Sequence, residues 1–197
     1  MRIVAVSDMH LGEEFLRALL AAAEEADLVI VAGDLAQRHE GLEAYAAGLT
    51  PIASKTIVVP GNNETETALR AATSARVLHG ETADLGALRV AGLGGGVPEL
   101  TGAPFPSFDL SEEEAEAMLD GITEADILVT HSPPEGVADR LGGRSIGSKA
   151  IRAAVERLQP RLHLFGHVHY CWGQRGTIGR TACMNLGPVP VLIEVST

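Results

Sequence analysis

Five short runs rich in β-branched and apolar residues, "RIVAVSD", "DLVIVAGD", "KTIVVPGN", "DILVTH" and "LHLFGH", constrain this chain more than any other feature. Each reads as a buried strand. Between them run helical patterns: Phe15, Leu16, Leu19, Leu20 and Ala23 recur at helical spacing, as do Ala115, Met118, Leu119 and Ile122, and then Ile151, Val155 and Leu158. "SEEE", Ser111 to Glu114, is a capping-box start for the second of these, and its acidic run reads as a solvated first turn favoured by the helix dipole. Strands alternating with helices predict an α/β fold with a largely parallel sheet, and the shorter pieces "ALRVAGL", "RTACMNLG" and "VLIEVS" predict further strands.

Composition narrows the class. With 197 residues, 46% of them hydrophobic, and no repeat or linker-like tract, the expectation is one domain over residues 1–197 with one sizeable core. The first apolar run stops at Ser7 and Asp8, too soon for a signal peptide or a membrane span, so a cytoplasmic protein with no membrane association is expected. In that compartment Cys171 and Cys183 are expected as free thiols. A formal charge of −11 repels polyanions, which argues against an extended nucleic-acid-binding face. Homo-oligomerisation stays open.

Every one of the five runs ends in a side chain able to hold a metal: Asp8, Asp34, Asn62, His131 and His167, with His10 and His169 two residues beyond the first and last. Taken singly, Asp8 can cap a helix, Asn62 can shape a turn and a lone histidine can be structural. Taken together they converge, because ligands of open α/β sheets bind outside the carboxyl ends of the strands. Seven N/O donors exceed the needs of one tetrahedral zinc, whereas two metals sharing a bridging carboxylate use them all, with Asp34 the natural bridge. The absence of cysteine from the set fits two divalent ions drawn from Mn, Fe, Co, Ni or Zn, with manganese the leading expectation.

The residues then spell out a family. Asp8-Met9-His10, Gly33-Asp34, Gly61-Asn62, Thr130-His131 and Gly166-His167-Val168-His169, in this order, resemble the calcineurin-like metallophosphoesterases, and "CMNLGP" with "SIGSKAIRAAVERLQPRLHLFGHVHY" resembles their small, uncapped phosphodiesterase-type branch. The resemblance implies a four-layer α-β-β-α sandwich with a dinuclear site. One metal would take Asp8, His10, Asp34 and His169, the other Asp34, Asn62, His131 and His167. In two positions the chain departs from the family: Leu186 of "CMNLGP" takes the place of a proline, and Asn63 stands where a histidine is thought to protonate the leaving group.

The mechanism expected from these residues is hydrolysis of a small soluble phosphate ester, such as a nucleotide, by a hydroxide held between two metals. An amide at position 63 donates no proton usefully near neutral pH, so phosphodiesters and other esters with good leaving groups are the expected substrates. His39, in the loop after Asp34, is a candidate replacement acid, and Arg140 and Arg144 are candidate phosphate-binding residues. The Gly- and Pro-rich stretch Gly92 to Phe108 reads equally as a lid or as a surface loop. His79 and His163 are expected to be structural. The alternative reading is a non-catalytic metal-binding scaffold of the same fold that binds a partner protein.

Overall fold

The computed structural model describes residues 1–100, 102 and 105–196. Thr101, Ala103 and Pro104 of the Gly- and Pro-rich stretch, and Thr197 at the end of the expected domain, lie outside the described residues. The first half of the chain alternates strand and helix: β1 (Arg2–Val6), α1 (Glu13–Ala23), β2 (Leu28–Val31), α2 (Leu42–Ala47), β3 (Thr56–Val58), α3 (Glu66–Ala72) and β4 (Arg76–Val77). Then follow β5 (Glu81–Leu85), β6 (Leu88–Leu93), α4 (Glu112–Asp120), β7 (Ile127–Thr130), β8 (Arg140–Leu141), β9 (Arg144–Ser145), α5 (Lys149–Leu158) and β10 (Leu162–Phe165). The chain closes with β11 (Arg175–Ile178), β12 (Thr181–Asn185) and β13 (Val191–Glu194).

Two sheets result. One runs β13-β1-β2-β3-β4, with β1 to β4 parallel and β13 antiparallel on β1. The other runs β11-β12-β10-β7-β6-β5, with a parallel centre and antiparallel edges at β5 and β11. Because successive strand residues point to opposite faces, each central strand feeds two cores. Ile3 and Ala5 of β1 join Ile30 of β2 and Val129 of β7 between the sheets, while Val4 and Val6 pack with Leu19 under the first set of helices. On the far side, Leu128 and Phe165 pack with Leu119, Ile151 and Val155 of α4 and α5. Three cores make four layers, helix-sheet-sheet-helix, and explain why the central strands β2, β3 and β7 are apolar runs instead of alternating.

The capping box at α4 forms as expected: Glu114 N donates to Ser111 Oγ at 3.1 Å and Ser111 N donates to Glu114 Oε2 at 2.9 Å. One member of the acidic run does more than face solvent. Glu112 accepts from the backbone N–H groups of Lys149 (3.0 Å) and Ala150 (2.9 Å) and from Ser148 Oγ (2.7 Å), so it caps the start of α5 from the neighbouring helix. A carboxylate there satisfies otherwise orphaned donors and suits the positive helix end. Cys171 and Cys183 are free and buried. His163 is buried in β10, hydrogen-bonded to Thr130 Oγ1 at 2.9 Å.

These contacts set two expectations for stability. Glu112→Ala should lower unfolding free energy by about 1–2 kcal/mol, against less than about 0.5 kcal/mol for exposed Glu113→Ala, both read from urea midpoints. Burial pushes His163 down to about 3. Its native contribution is therefore full above the ordinary histidine range and is lost as pH falls, because only the unfolded chain takes up the proton. His163→Asn should remove about 2 kcal/mol of the loss in stability between pH 6.5 and 5, and an unchanged pH profile would contradict this.

Candidate metal centre

The site forms where the loops leaving β1, β2, β3, β7 and β10 meet, at the carboxyl ends of parallel strands from both sheets. Packing five strand exits together requires sharp turns. Asp8 (φ 54°), His10 (φ 41°), Asp34 (φ 57°) and His167 (φ 70°) all adopt the left-handed region that side chains normally avoid. Such conformations cluster where the surrounding structure over-determines them, commonly at functional sites. The glycines preceding Asp34 and Asn62 press against each other. A Cβ on Gly33, which has φ 90°, would lie 2.6 Å from Gly61 Cα, and one on Gly61 would lie 2.0 Å from Asp34 Oδ1.

All seven sequence-predicted donors are brought into one chain of contacts. Asn62 Oδ1, His131 Nε2 and His167 Nδ1 lie 3.1 Å from one another in every pairing. On the other side, His10 Nε2 and His169 Nε2 are 3.2 Å apart, and His169 Nε2 lies 3.7 Å from Asp8 Oδ1. Between the two groups sits Asp34, whose Oδ2 is 3.6 Å from His10 Nε2 and 3.5 Å from His131 Nε2. Asp8, Asp34 and His131 likewise offer atoms close enough to share one ion, as do Asp8, His10 and His169.

The hydrogen bonds decide which atoms carry lone pairs into the centre. His131 Nδ1 donates to Ala32 O at 2.8 Å and His10 Nδ1 to Ala36 O at 3.2 Å, which leaves Nε2 of each ring as the free donor atom. Burial pushes His131 and His167 down to about 3, so both rings are neutral. Burial also pushes Asp8 up to about 7, with the Asp34 carboxylate adding to the rise, and pushes Asp34 up to about 7 against the opposing hydrogen bonds from Asn63. Neutral imidazoles and reluctant carboxylates facing one another describe a site that a divalent cation would relieve on every side. The separations fit as well, since neighbouring ligands about 2.1 Å from an ion stand about 3 Å apart.

Other predicted residues sit differently. Asn63 points inward. Its Nδ2 donates to Asp34 Oδ2 at 2.8 Å, its backbone N to Asp34 Oδ1 at 2.9 Å, and its Oδ1 accepts from Arg38 N at 2.8 Å. The side chain thus orients the central carboxylate. His39 is exposed and bonded through Nε2 to Pro106 O; among the described residues it makes no hydrogen bond to any of the seven donors. Arg140 and Arg144 are exposed on the β8–β9 hairpin, where Arg140 Nη1 donates to Gly143 O at 2.9 Å. That hairpin abuts the short turn His169–Cys171 through Cys171 Sγ and Arg140 O, and among the described residues neither arginine side chain is hydrogen-bonded to any of the seven donors. His79 accepts from Gly94 N at 3.1 Å and packs on Phe108.

Two supporting residues escaped the sequence reading. Buried Glu64 accepts from Gly61 N (2.6 Å), Asp34 N (2.8 Å) and Ala36 N (2.9 Å), clamping the loops that carry Asp34 and Asn62 to each other. Burial, with repulsion from Asp34, pushes its carboxyl up to about 7. Trp172 donates from Nε1 to Asp8 Oδ2 at 3.1 Å and lies against the His169 ring at 4.5 Å between centroids. Signals for both existed: a glutamate buried in the "GNNE" run, and the single tryptophan of the chain just after His169.

Residues 1–171 match the family model of the calcineurin-like phosphoesterases. The chain belongs to that family. Human metallophosphoesterase domain-containing protein 1 is 37% identical over 83 residues, which cover 36% of this chain and 26% of that protein, so the likeness spans about a quarter of the curated relative. Among solved structures, a protein of Thermus thermophilus aligns over 94% of this chain and 88% of its own with a TM-score of 0.74 at 19% identity. The phosphopantetheinyl hydrolase of Mycobacterium tuberculosis aligns over 94% and 89% with a TM-score of 0.65 at 16% identity. At these identities the structures establish the shared fold, the four-layer sandwich that the family resemblance implied.

Trp172→Phe keeps the ring against His169 and removes the N–H to Asp8. It should weaken Mn²⁺ binding by metal-stripped protein about tenfold in a calorimetric titration. Wild-type affinity would show that the indole N–H does not orient Asp8.

Proposed function

We propose that the chain is a phosphoric ester hydrolase that works with two divalent ions, manganese foremost, and prefers phosphodiesters or other esters with good leaving groups. The observation that carries the reading is the convergence of four imidazoles, two carboxylates and one carboxamide oxygen with no thiol among them. Bound divalent ions supply Lewis acidity toward phosphate oxygens and lower the pKa of water. The chain supplies the rest. Asp34 faces both donor groups and would serve both ions, and its carboxylate is held by Asn63 and by the Glu64 clamp on its loop.

The diester preference rests on Asn63. Its amide is committed to Asp34 and to Arg38 N, and no proton donor of useful acidity stands there for a departing alkoxide. General acid catalysis typically contributes on the order of 10²- to 10⁴-fold, so poor leaving groups should suffer by a comparable factor. His39 remains the side chain that could supply the proton, if its bond to Pro106 O gives way. The exposed Arg140 and Arg144 on the adjoining hairpin are assigned to the substrate phosphate, which fits a small soluble ester such as a nucleotide. The charge of −11 supports a small substrate over extended nucleic acid. Among the described residues no helix is long and apolar enough to cross a membrane.

Metal-stripped protein reloaded with Mn²⁺ should hydrolyse bis(p-nitrophenyl) phosphate at least about 10²-fold faster than an alkyl phosphate monoester, and Asp34→Ala should abolish both. Equal turnover of the two substrates would contradict the diester preference. No turnover with two ions demonstrably bound would favour a metal-binding scaffold that recognises a partner protein.

A further inference from the structure

Asn62 has to be oriented correctly before it can serve as a ligand. A carboxamide has one oxygen and one NH₂ group of nearly the same shape, and only the oxygen can bind a cation. Turned the wrong way, Asn62 would aim two N–H bonds at the ion. The structure shows what sets its orientation. Asn62 Nδ2 donates to Ser107 Oγ at 3.0 Å, and Ser107 Oγ donates its own proton to Asp109 Oδ1 at 2.7 Å. Asp109 thereby fixes the direction of the whole relay: a carboxylate accepts only, so the serine hydroxyl must point its hydrogen away from Asn62 and its lone pair toward it.

The backbone secures the same contact. Phe108 N donates to Asn62 O at 3.0 Å, Gly96 N to Phe108 O at 2.9 Å, and Leu110 N to Gly96 O at 2.8 Å, while Asp109 Oδ2 accepts from Leu100 N at 3.0 Å. The segment after β6 is therefore strapped to Asn62 at both backbone and side chain. On the opposite side of the amide, Oδ1 faces His131 Nε2 and His167 Nδ1.

We infer that Ser107 and Asp109 are positioning residues that set the carboxamide of Asn62 oxygen-first toward one of the two ions, which gives this glycine-rich loop a role in metal affinity. The inference rests on the dinuclear reading of the site. The test is Mn²⁺ binding to metal-stripped protein by calorimetry, with metal-free melting temperature recorded for each variant to confirm folding. Ser107→Ala should weaken one of the two binding events about tenfold or more and spare the other. Ser107→Thr, which keeps the hydroxyl, should bind within about twofold of wild type on the same scale. The deciding comparison is Asn62→Asp. A carboxylate offers oxygen whichever way it turns, so adding Ser107→Ala to Asn62→Asp should cost little further affinity. An unaltered Ser107→Ala protein, or the same loss in both backgrounds, would overturn the relay while leaving the metal centre standing. Absence of Mn²⁺ binding by the wild-type protein would overturn both.

Discussion

The centre depends on one constraint: lone pairs of like polarity are held facing each other in a place from which most water is excluded. Asn62 Oδ1 and His131 Nε2 present acceptors 3.1 Å apart with His167 Nδ1 at 3.1 Å from both, and Asp34 stands within 3.6 Å of imidazoles on either side. Left alone, such an arrangement is unfavourable, since buried uncompensated charge costs several kcal/mol per ion. The fold sustains it by fixing four of its members from behind. Asp8 is held by His167 N and Trp172, Asp34 by Asn63, and His131 and His10 by backbone carbonyls. Glu64 locks two of the contributing loops to each other. The strained backbone at Asp8, His10, Asp34 and His167 belongs to the same preorganisation.

Asn63 changes meaning in this setting. By sequence it marks a lost proton donor. In the structure it is a hydrogen-bond partner of both Asp34 oxygens, so the position serves the central carboxylate whatever else it has given up. Chemistry at the leaving group and geometry at the central carboxylate are thus separable properties of one residue. The substrate preference proposed here follows from keeping the second without the first.

Much of this was legible in the sequence for a physical reason. Strands buried on both faces cannot alternate, so "RIVAV", "LVIV" and "ILVT" announced themselves as apolar runs, and a polar residue at the end of such a run is conspicuous. The short helices α2 and α3, with six and seven residues, gave too little periodicity to read. Edge strands β5 and β11 carry polar and small residues and look like loop. The supporting residues were hidden differently. Ser107 and Glu112 act on an amide or on backbone N–H groups far away in sequence, and no spacing rule encodes such contacts. Glu112 in particular read as one of three solvated acids until the approach of α5 gave it donors to satisfy.

The central claim is that the seven donors form one two-ion centre joined through Asp34. Electron paramagnetic resonance of metal-stripped protein during Mn²⁺ addition tests it most directly. Two ions per chain are expected and, at the second equivalent, a spin-coupled spectrum that Asp34→Ala fails to develop. A single tightly bound ion, or two ions with no magnetic coupling in the wild-type protein, would contradict it.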